Sequence, residues 1–334
     1  MDKIKMGIIG TGLAWERLHR PAYERLNDKF EIIAVCDKNI EKAKKAGATL
    51  QISPERIYSD YVKMLQEVKF DSISTMVPIE ENYETAKAVI ENGINLLAEK
   101  PFAAEVDKAR ELIEAAKYKN VKVLVGENYR YEEENIIIKE LLKTEAIGEL
   151  LYFVDSNMTD FPAEMSKDTF SKTEWRQHPK FYGGIFLDSA IHHIARHRFL
   201  FGDVREVFAT GVVCSEDFSP YSAINAIFTY DNNITGHYMY CNQIEELQKP
   251  LIGLRIFGTK GEIFLEERKA SFVNVMYKDG ESKRISYTPE QGYYNQLINF
   301  YEALSGGKEI ISNPEKEIGD IKVICDILKS IENR

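Results

Sequence analysis

The sequence predicts an α/β protein, with a doubly wound parallel sheet in its N-terminal part and an α+β C-terminal part built on a mainly antiparallel sheet. Three observations lead there. Short apolar runs alternate with amphipathic stretches over roughly the first 125 residues, the pattern of parallel strands joined by helical crossovers. Beyond residue 126 the apolar runs are joined directly by turn residues, as in hairpins. The chain has 334 residues, more than one hydrophobic core usually organises. The boundary is placed at this change of period, giving domains 1–126 and 127–334.

In the first part, strands are expected at 4–9, 31–36, 71–77, 94–98 and 121–125, ending at Gly10, Asp37, Pro78, Glu99 and Gly126. The clearest helices are 83–91 and 106–117, and Gly93 stands where a helix C-cap takes glycine. After a helix at 136–143, runs 224–230 and 234–240 flank Asp231-Asn232-Asn233. Runs 254–257 and 262–265 flank Gly258-Thr259-Lys260-Gly261, and 272–277 and 283–287 flank Asp279-Gly280. Helices at 295–303 and 315–331 close the chain.

Hydrophobic residues make up 44% and charged residues 29%, as in ordinary soluble proteins. The formal net charge of −10 repels phosphate backbones and argues against nucleic acid as a partner. No apolar run approaches the roughly 20 residues that cross a bilayer. Met1 and Asp2 lead into a strand pattern with no signal-peptide features. Cys36, Cys214, Cys241 and Cys325 are far apart and read as reduced thiols. Together these features place the protein in the cytoplasm.

Gly10-Thr11-Gly12 follows the first strand and opens a helix, the context in which a G-x-G pattern is informative. Gly10 permits the tight turn, Gly12 lets backbone approach a pyrophosphate, and the helix N-terminus offers N–H groups to it. The third small residue of this Rossmann fingerprint is replaced by Trp15. Asp37, at the end of the second strand, can bond ribose hydroxyls and repels a 2′-phosphate, which favours NAD over NADP. Lys38 softens that preference, so NADP stays open, and Asp37 also reads as a turn or N-cap residue. If the Trp15 departure merely remodels the loop, Trp15→Gly retains cofactor binding.

Gly10-Thr11-Gly12, Glu99-Lys100-Pro101, Gly183-Gly184 and Asp188-x-x-x-His192 resemble the glucose–fructose oxidoreductase, inositol dehydrogenase and rhizopine-catabolism family, written Gfo/Idh/MocA. Phe257-Gly258-Thr259-Lys260-Gly261 and the Asn295-Gln296-Leu297-x-Asn299-Phe300 helix extend the likeness over essentially the whole chain. The resemblance implies a Rossmann domain, a second domain with a large open sheet, and NAD(P)-dependent oxidation or reduction of sugars, cyclitols and their derivatives. It also implies homodimers or homotetramers that associate through that sheet, and no metal.

Alcohol oxidation sends a hydride to the nicotinamide and a proton to a base, a role that suits histidine. Lys100 stands just past a parallel strand, at the edge where open sheets bind ligands. By resemblance it lies beside the nicotinamide, where its ammonium stabilises a developing alkoxide; otherwise it is an exposed strand-end lysine. Asp188 and His192 are four apart in a helical stretch and face one side, after a double glycine that gives backbone room near a ligand. By resemblance His192 accepts the proton and Asp188 contacts substrate or tunes His192; the plain alternative is a solvated i,i+4 pair.

Trp175 and Arg176 are substrate-binding candidates bordering the pocket in the family, or a surface pair. Cofactor contacts are assigned to Gly10, Thr11, Gly12, Leu13, Asp37, Lys38, Val77, Pro78, Asn82, Glu99 and Asn128. Asn82 replaces a histidine common in the family, and Arg130 is a further candidate beside Asn128. His193 and His197 raise the thought of a metal site, but zinc ligands usually come from more than one element. They read as structural, like His19 and His237. A non-catalytic dinucleotide-binding sensor, or a reductase of another small carbonyl or cyclic diene, are the competing functions.

Overall fold

The computed structural model describes residues 3–244, 253–266 and 269–333. The N-terminal reading that began at Met1 and Asp2 falls outside them. Two compact units divide the chain: Met1–Asn128 with Tyr293–Ile318, and Tyr129–Gly292 with Gly319–Arg334. The sequence reading made a single cut, whereas here residues 293–318 group with the first unit. The reason is packing inside that unit. Tyr301 meets Phe30 edge-on at 5.8 Å, the Arg25 guanidinium lies 3.8 Å over Tyr294, and Val125 N–H donates to Ser312 O at 2.9 Å.

The first unit holds six strands: β1 (Ile4–Ile9), β2 (Phe30–Cys36), β3 (Ile57–Tyr58), β4 (Ser72–Thr75), β5 (Asn95–Ala98) and β6 (Val123–Val125). All pair in parallel, in the order β3-β2-β1-β4-β5-β6. Strand β1 is almost continuously buried, as a strand covered on both faces must be. Helices α1 (Arg20–Arg25), α2 (Ile40–Leu50), α3 (Tyr61–Glu67), α4 (Ile79–Glu91) and α5 (Val106–Lys119) make the crossovers. Asn39 caps α2 by accepting from Glu41 N–H, and Asp60 caps α3 through Val62 N–H at 2.8 Å. Helix α4 buries Ile79, Asn82, Ala86, Val89 and Ile90, a stripe at helical spacing. The sheet order reverses direction between β1 and β4, the switch point where open α/β sheets bind ligands.

The second unit holds an eight-stranded sheet: β7 (Leu150–Met158), β8 (Val204–Val213), β9 (Tyr221–Tyr230), β10 (Thr235–Cys241), β11 (Gly253–Gly258), β12 (Gly261–Leu265), β13 (Phe272–Tyr277) and β14 (Ser282–Ser286). Its order is β14-β13-β12-β11-β7-β10-β9-β8, antiparallel except between β7 and β10. Helices α6 (Glu133–Lys143), α7 (Phe161–Met165), α8 (Glu174–Gln177) and α9 (Gly184–Phe201) belong here. Helix α10 (Gly292–Gly306) belongs to the first unit from Tyr293 onward, and the division falls within α11 (Pro314–Glu332).

The pleat gives this sheet two different faces. Ala209, Ala226, Tyr238, Asp155, Leu254 and Leu265 stand in register across six strands, and all are buried. Helix α9 covers that face, with Phe201 stacked 4.1 Å from Phe153. The neighbouring row, Phe208, Ile227, His237, Val154, Arg255 and Phe264, points the other way and is exposed or half-buried. Among the described residues, no helix is long and apolar enough to cross a membrane.

Candidate active site

In the first unit the candidate residues gather at the carboxyl ends of β1, β2, β4 and β5, the four strands around the switch point. Gly10 has φ +89°, and a Cβ there would lie 2.2 Å from Met76 O, so only glycine fits. A Cβ on Gly12 would meet nothing within 4 Å, which leaves room for a ligand against the backbone. Leu13 is half-buried beside it. Glu16 N–H donates to Gly12 O at 3.0 Å, so the N–H groups of Leu13 and Ala14 precede this bond in the helix's opening turn.

Asp37 ties the loop to the end of β2. Its Oδ2 accepts from Thr11 N–H at 2.8 Å and Thr11 Oγ1 at 3.2 Å, and its Oδ1 accepts from Asn39 N–H at 2.9 Å. A carboxylate offers about four acceptor sites, so these three bonds leave capacity for a hydroxyl. Asp37 thus serves the turn, while Asn39 is the N-cap of α2. The set fits a dinucleotide: an open glycine, a helix start for the pyrophosphate and an acid for the ribose.

Trp15 departs from the fingerprint in a specific way. It opens a π-helical turn, Trp15–His19, and is 1% exposed, 5.9 Å from the Tyr23 ring. The indole is therefore part of the core, which alters the expectation for Trp15→Gly.

Lys100 follows β5 and is 9% exposed. Two side chains from outside, Asn82 and His19, hold its segment. Asn82 Nδ2 donates to Pro101 O at 2.7 Å and to Glu99 O at 3.5 Å. Glu99 Oε1 meets His19 Nε2 at 2.5 Å, and Glu99 Oε2 accepts from Lys100 N–H at 3.2 Å. Buried Asn82 is thus placed to shape the Lys100 turn through its amide nitrogen. His19, fully buried, is structural through Glu99. Val77 and Pro78 line the end of β4 half-buried, and Asn128 is buried at the end of this unit.

In the second unit Gly183 and Gly184 start α9 with φ +87° and +52°. Ile185 N–H donates to Phe218 O at 2.8 Å, and a Cβ on Gly184 would lie 2.5 Å from that oxygen. The double glycine therefore lets the helix start dock on its own unit's backbone, rather than making the ligand room expected of it. The helix then presents Asp188 and His192 one turn apart.

Asp188, buried, accepts from Arg176 Nε at 2.7 Å. The same guanidinium lies 4.0 Å over the Trp175 ring and donates to Thr173 Oγ1 at 3.3 Å. Trp175, Arg176 and Asp188 are thus one assembly, a half-buried aromatic surface beside a neutralised carboxylate. His192 stacks on Tyr129 with centroids 4.7 Å apart and planes 18° from parallel. Arg196 lies 5.9 Å from the same ring. Tyr129 was missed in the sequence, because nothing in Tyr129-Arg130-Tyr131 marks one aromatic over another. Arg130 is committed elsewhere: buried, it donates to Asp320 at 2.7 Å.

A charged cluster lies beneath α9. Buried Asp155, on β7, accepts from Arg196 Nη2 at 2.6 Å and meets His197 Nε2 at 2.5 Å, while His193 Nδ1 meets Tyr238 OH at 2.9 Å. Burial alone would raise Asp155, but the Arg196 charge and the His197 hydrogen bond hold it well below the usual carboxylate range. Burial holds His193 well below its ordinary value, and His197 below it as well, against the pull of Asp155. His193 and His197 are spent on Tyr238 and Asp155, as structural residues would be, whereas His237 stands exposed on the outward sheet face.

This cluster fixes the sign of a pH response. Below about pH 6.5 an unfolded chain protonates both histidines, while burial makes the folded chain take those protons less readily. Stability is therefore expected to fall as pH drops from 7.5 to 5. The depressed Asp155 adds stability that is present above about pH 4 and lost only below it. Thermal melts across this range check the expectation, and a melting temperature that holds or rises toward pH 5 contradicts it.

Residues 4–127 match the model of an oxidoreductase family with an NAD-binding Rossmann fold, and residues 136–264 match the GFO/IDH/MocA C-terminal domain. An uncharacterized protein of Saccharomyces cerevisiae is 25% identical over 315 residues, covering 91% of this chain and 88% of that protein. The D-apiose dehydrogenase of Paraburkholderia graminis is 26% identical over 235 residues, 70% of this chain and 60% of that enzyme. The structure of a levoglucosan dehydrogenase in complex with NADH superposes with a TM-score of 0.87 at 18% identity, covering 99% of this chain and 98% of that one, a likeness of fold.

Proposed function

The chain belongs to the Gfo/Idh/MocA family of NAD-binding oxidoreductases, and from that premise we propose that it moves a hydride between NAD and a secondary alcohol or ketone of a sugar, cyclitol or sugar derivative. The observation that carries this reading is the placement of Lys100 at the end of β5, on the sheet edge that also carries Gly12 and Asp37. A dinucleotide site alone would suit a sensor; a buried lysine held in place beside it suits chemistry.

NAD, when bound, supplies the hydride acceptor. Gly12 and the helix start would receive its pyrophosphate, and Asp37 its adenosine ribose, which disfavours a 2′-phosphate. Lys100 would stabilise the alkoxide that develops as the substrate hydroxyl ionises. His192 would take the hydroxyl proton, its ring plane set by Tyr129. Asp188, neutralised by Arg176, would accept from a neighbouring substrate hydroxyl, and Trp175 would pack against the sugar's C–H face. The relatives that act on D-apiose and levoglucosan support a carbohydrate-like substrate. Four free cysteines suit a reducing compartment, and the cytoplasm is the proposed location.

The outward face of the eight-stranded sheet supports a homodimer or homotetramer. Phe208, Ile227, Tyr152 and Met276 are each 43–55% exposed on β8, β9, β7 and β13, large apolar side chains on one sheet face that a partner copy would cover. Sedimentation velocity is expected to show a dimer or larger species, weakened by Ile227→Asp. A monomer at micromolar concentration contradicts this. The catalytic reading is tested by NADH formation across a panel of sugars, inositols and aminosugars, guided by mass-spectrometric identification of any ligand carried through purification.

A further inference from the structure

Lys38, in the loop after β2, and Glu81, in the first turn of α4, approach one another at the carboxyl end of the parallel sheet. Lys38 directly follows Asp37, and Glu81 lies in the first turn of α4, the helix that leaves β4. The Lys38 ammonium and Glu81 carboxylate form an ion pair, with side chains 73% and 40% exposed. A pair this wet adds little to stability. Its position gives it another consequence. An ammonium next to the ribose-binding acid is the usual kind of group that welcomes a 2′-phosphate.

We propose that Glu81 is a coenzyme-discriminating residue: by engaging Lys38 it denies that ammonium to a 2′-phosphate and sharpens the preference for NAD over NADP. The inference rests on the dinucleotide reading of Gly12 and Asp37, and it names a residue of α4 as part of that selectivity. Asp37 acts by its own charge, directed at the ribose; Glu81 acts through Lys38. With Glu81 neutralised, Lys38 is released to a flexible stem whose point charge can reach a phosphate.

The test is titration of the purified full-length protein with NADH and with NADPH, followed by coenzyme fluorescence, so no substrate is needed. Glu81→Gln is expected to tighten NADPH binding about three- to tenfold at low salt, leaving NADH within about twofold. Retained NADH affinity shows that the variant is folded. In a Lys38→Met background the same change is expected to move NADPH by less than about twofold, since the ammonium that Glu81 restrains is gone. An unchanged NADPH-to-NADH ratio in Glu81→Gln overturns the proposal. So does an equal gain in the Lys38→Met background, which would make Glu81 a simple repulsive charge. If the unaltered protein binds neither coenzyme, the dinucleotide reading itself falls and the inference falls with it.

Discussion

Replacing Lys100 by methionine is expected to lower turnover by about 10²- to 10⁴-fold while leaving NADH affinity within about threefold. The methionine keeps an unbranched stem of similar length, so the change removes the ammonium and little else. A general-acid or oxyanion-stabilising group acts chiefly in the transition state, so its loss appears in kcat rather than in coenzyme binding. The surroundings argue that the site tolerates the swap. The segment is held through backbone atoms, by Asn82 on the carbonyls of Glu99 and Pro101 and by Glu99 on the Lys100 N–H. Unchanged turnover on a verified substrate would remove Lys100 from the mechanism.

Trp15→Gly is expected to destabilise the first unit by about 3–5 kcal/mol, as truncation of a buried aromatic does, with a further cost of about 1 kcal/mol for glycine in a helix. For a unit of this size that corresponds to a fall in melting temperature of about 10–20 °C. The indole is 1% exposed and touches Tyr23, which itself meets Phe30 at the start of β2. The fingerprint thus departs from the common pattern by moving bulk into the core rather than by reshaping the glycine turn. A melting temperature within about 2 °C of the unaltered protein would show that the cavity collapses at no cost.

The parallel sheet was legible because most of its strands are rich in apolar residues and end on informative ones, although β4 itself reads Ser-Ile-Ser-Thr. Gly10, Asp37, Pro78 and Glu99 each follow a strand, as expected, although β4 is shorter than the run 71–77. Strands β7 and β8 were not anticipated. Leu150–Met158 carries a buried aspartate in its middle, and Asp155 is tolerated there only because Arg196 and His197 answer it from α9. Val204–Val213 loses its alternation to a register shift between Val204 and Glu206. Two-residue β3 is below the length at which periodicity shows.

The candidate site was legible residue by residue but not in its pairings. Spacing brought Asp188 and His192 to one side of a helix, yet it gave no sign that Asp188 would bond Arg176 or that Tyr129 would lie flat against His192. Those contacts join segments 12 and 63 residues apart (188 − 176 and 192 − 129), and local pattern carries no information at that range. Asn82 shows the same limit. Nothing in its place in the chain told that its amide would donate to the carbonyls of the Lys100 segment.

The most direct measurement is NAD reduction by the purified protein across sugars, inositols and aminosugars, with the His192→Ala variant run beside it. The account predicts substrate-dependent NADH formation with at least one polyol, reduced by about 10²-fold or more in the variant. Tight NADH binding with no turnover across the panel in either direction would contradict it, and would make the chain a dinucleotide sensor instead.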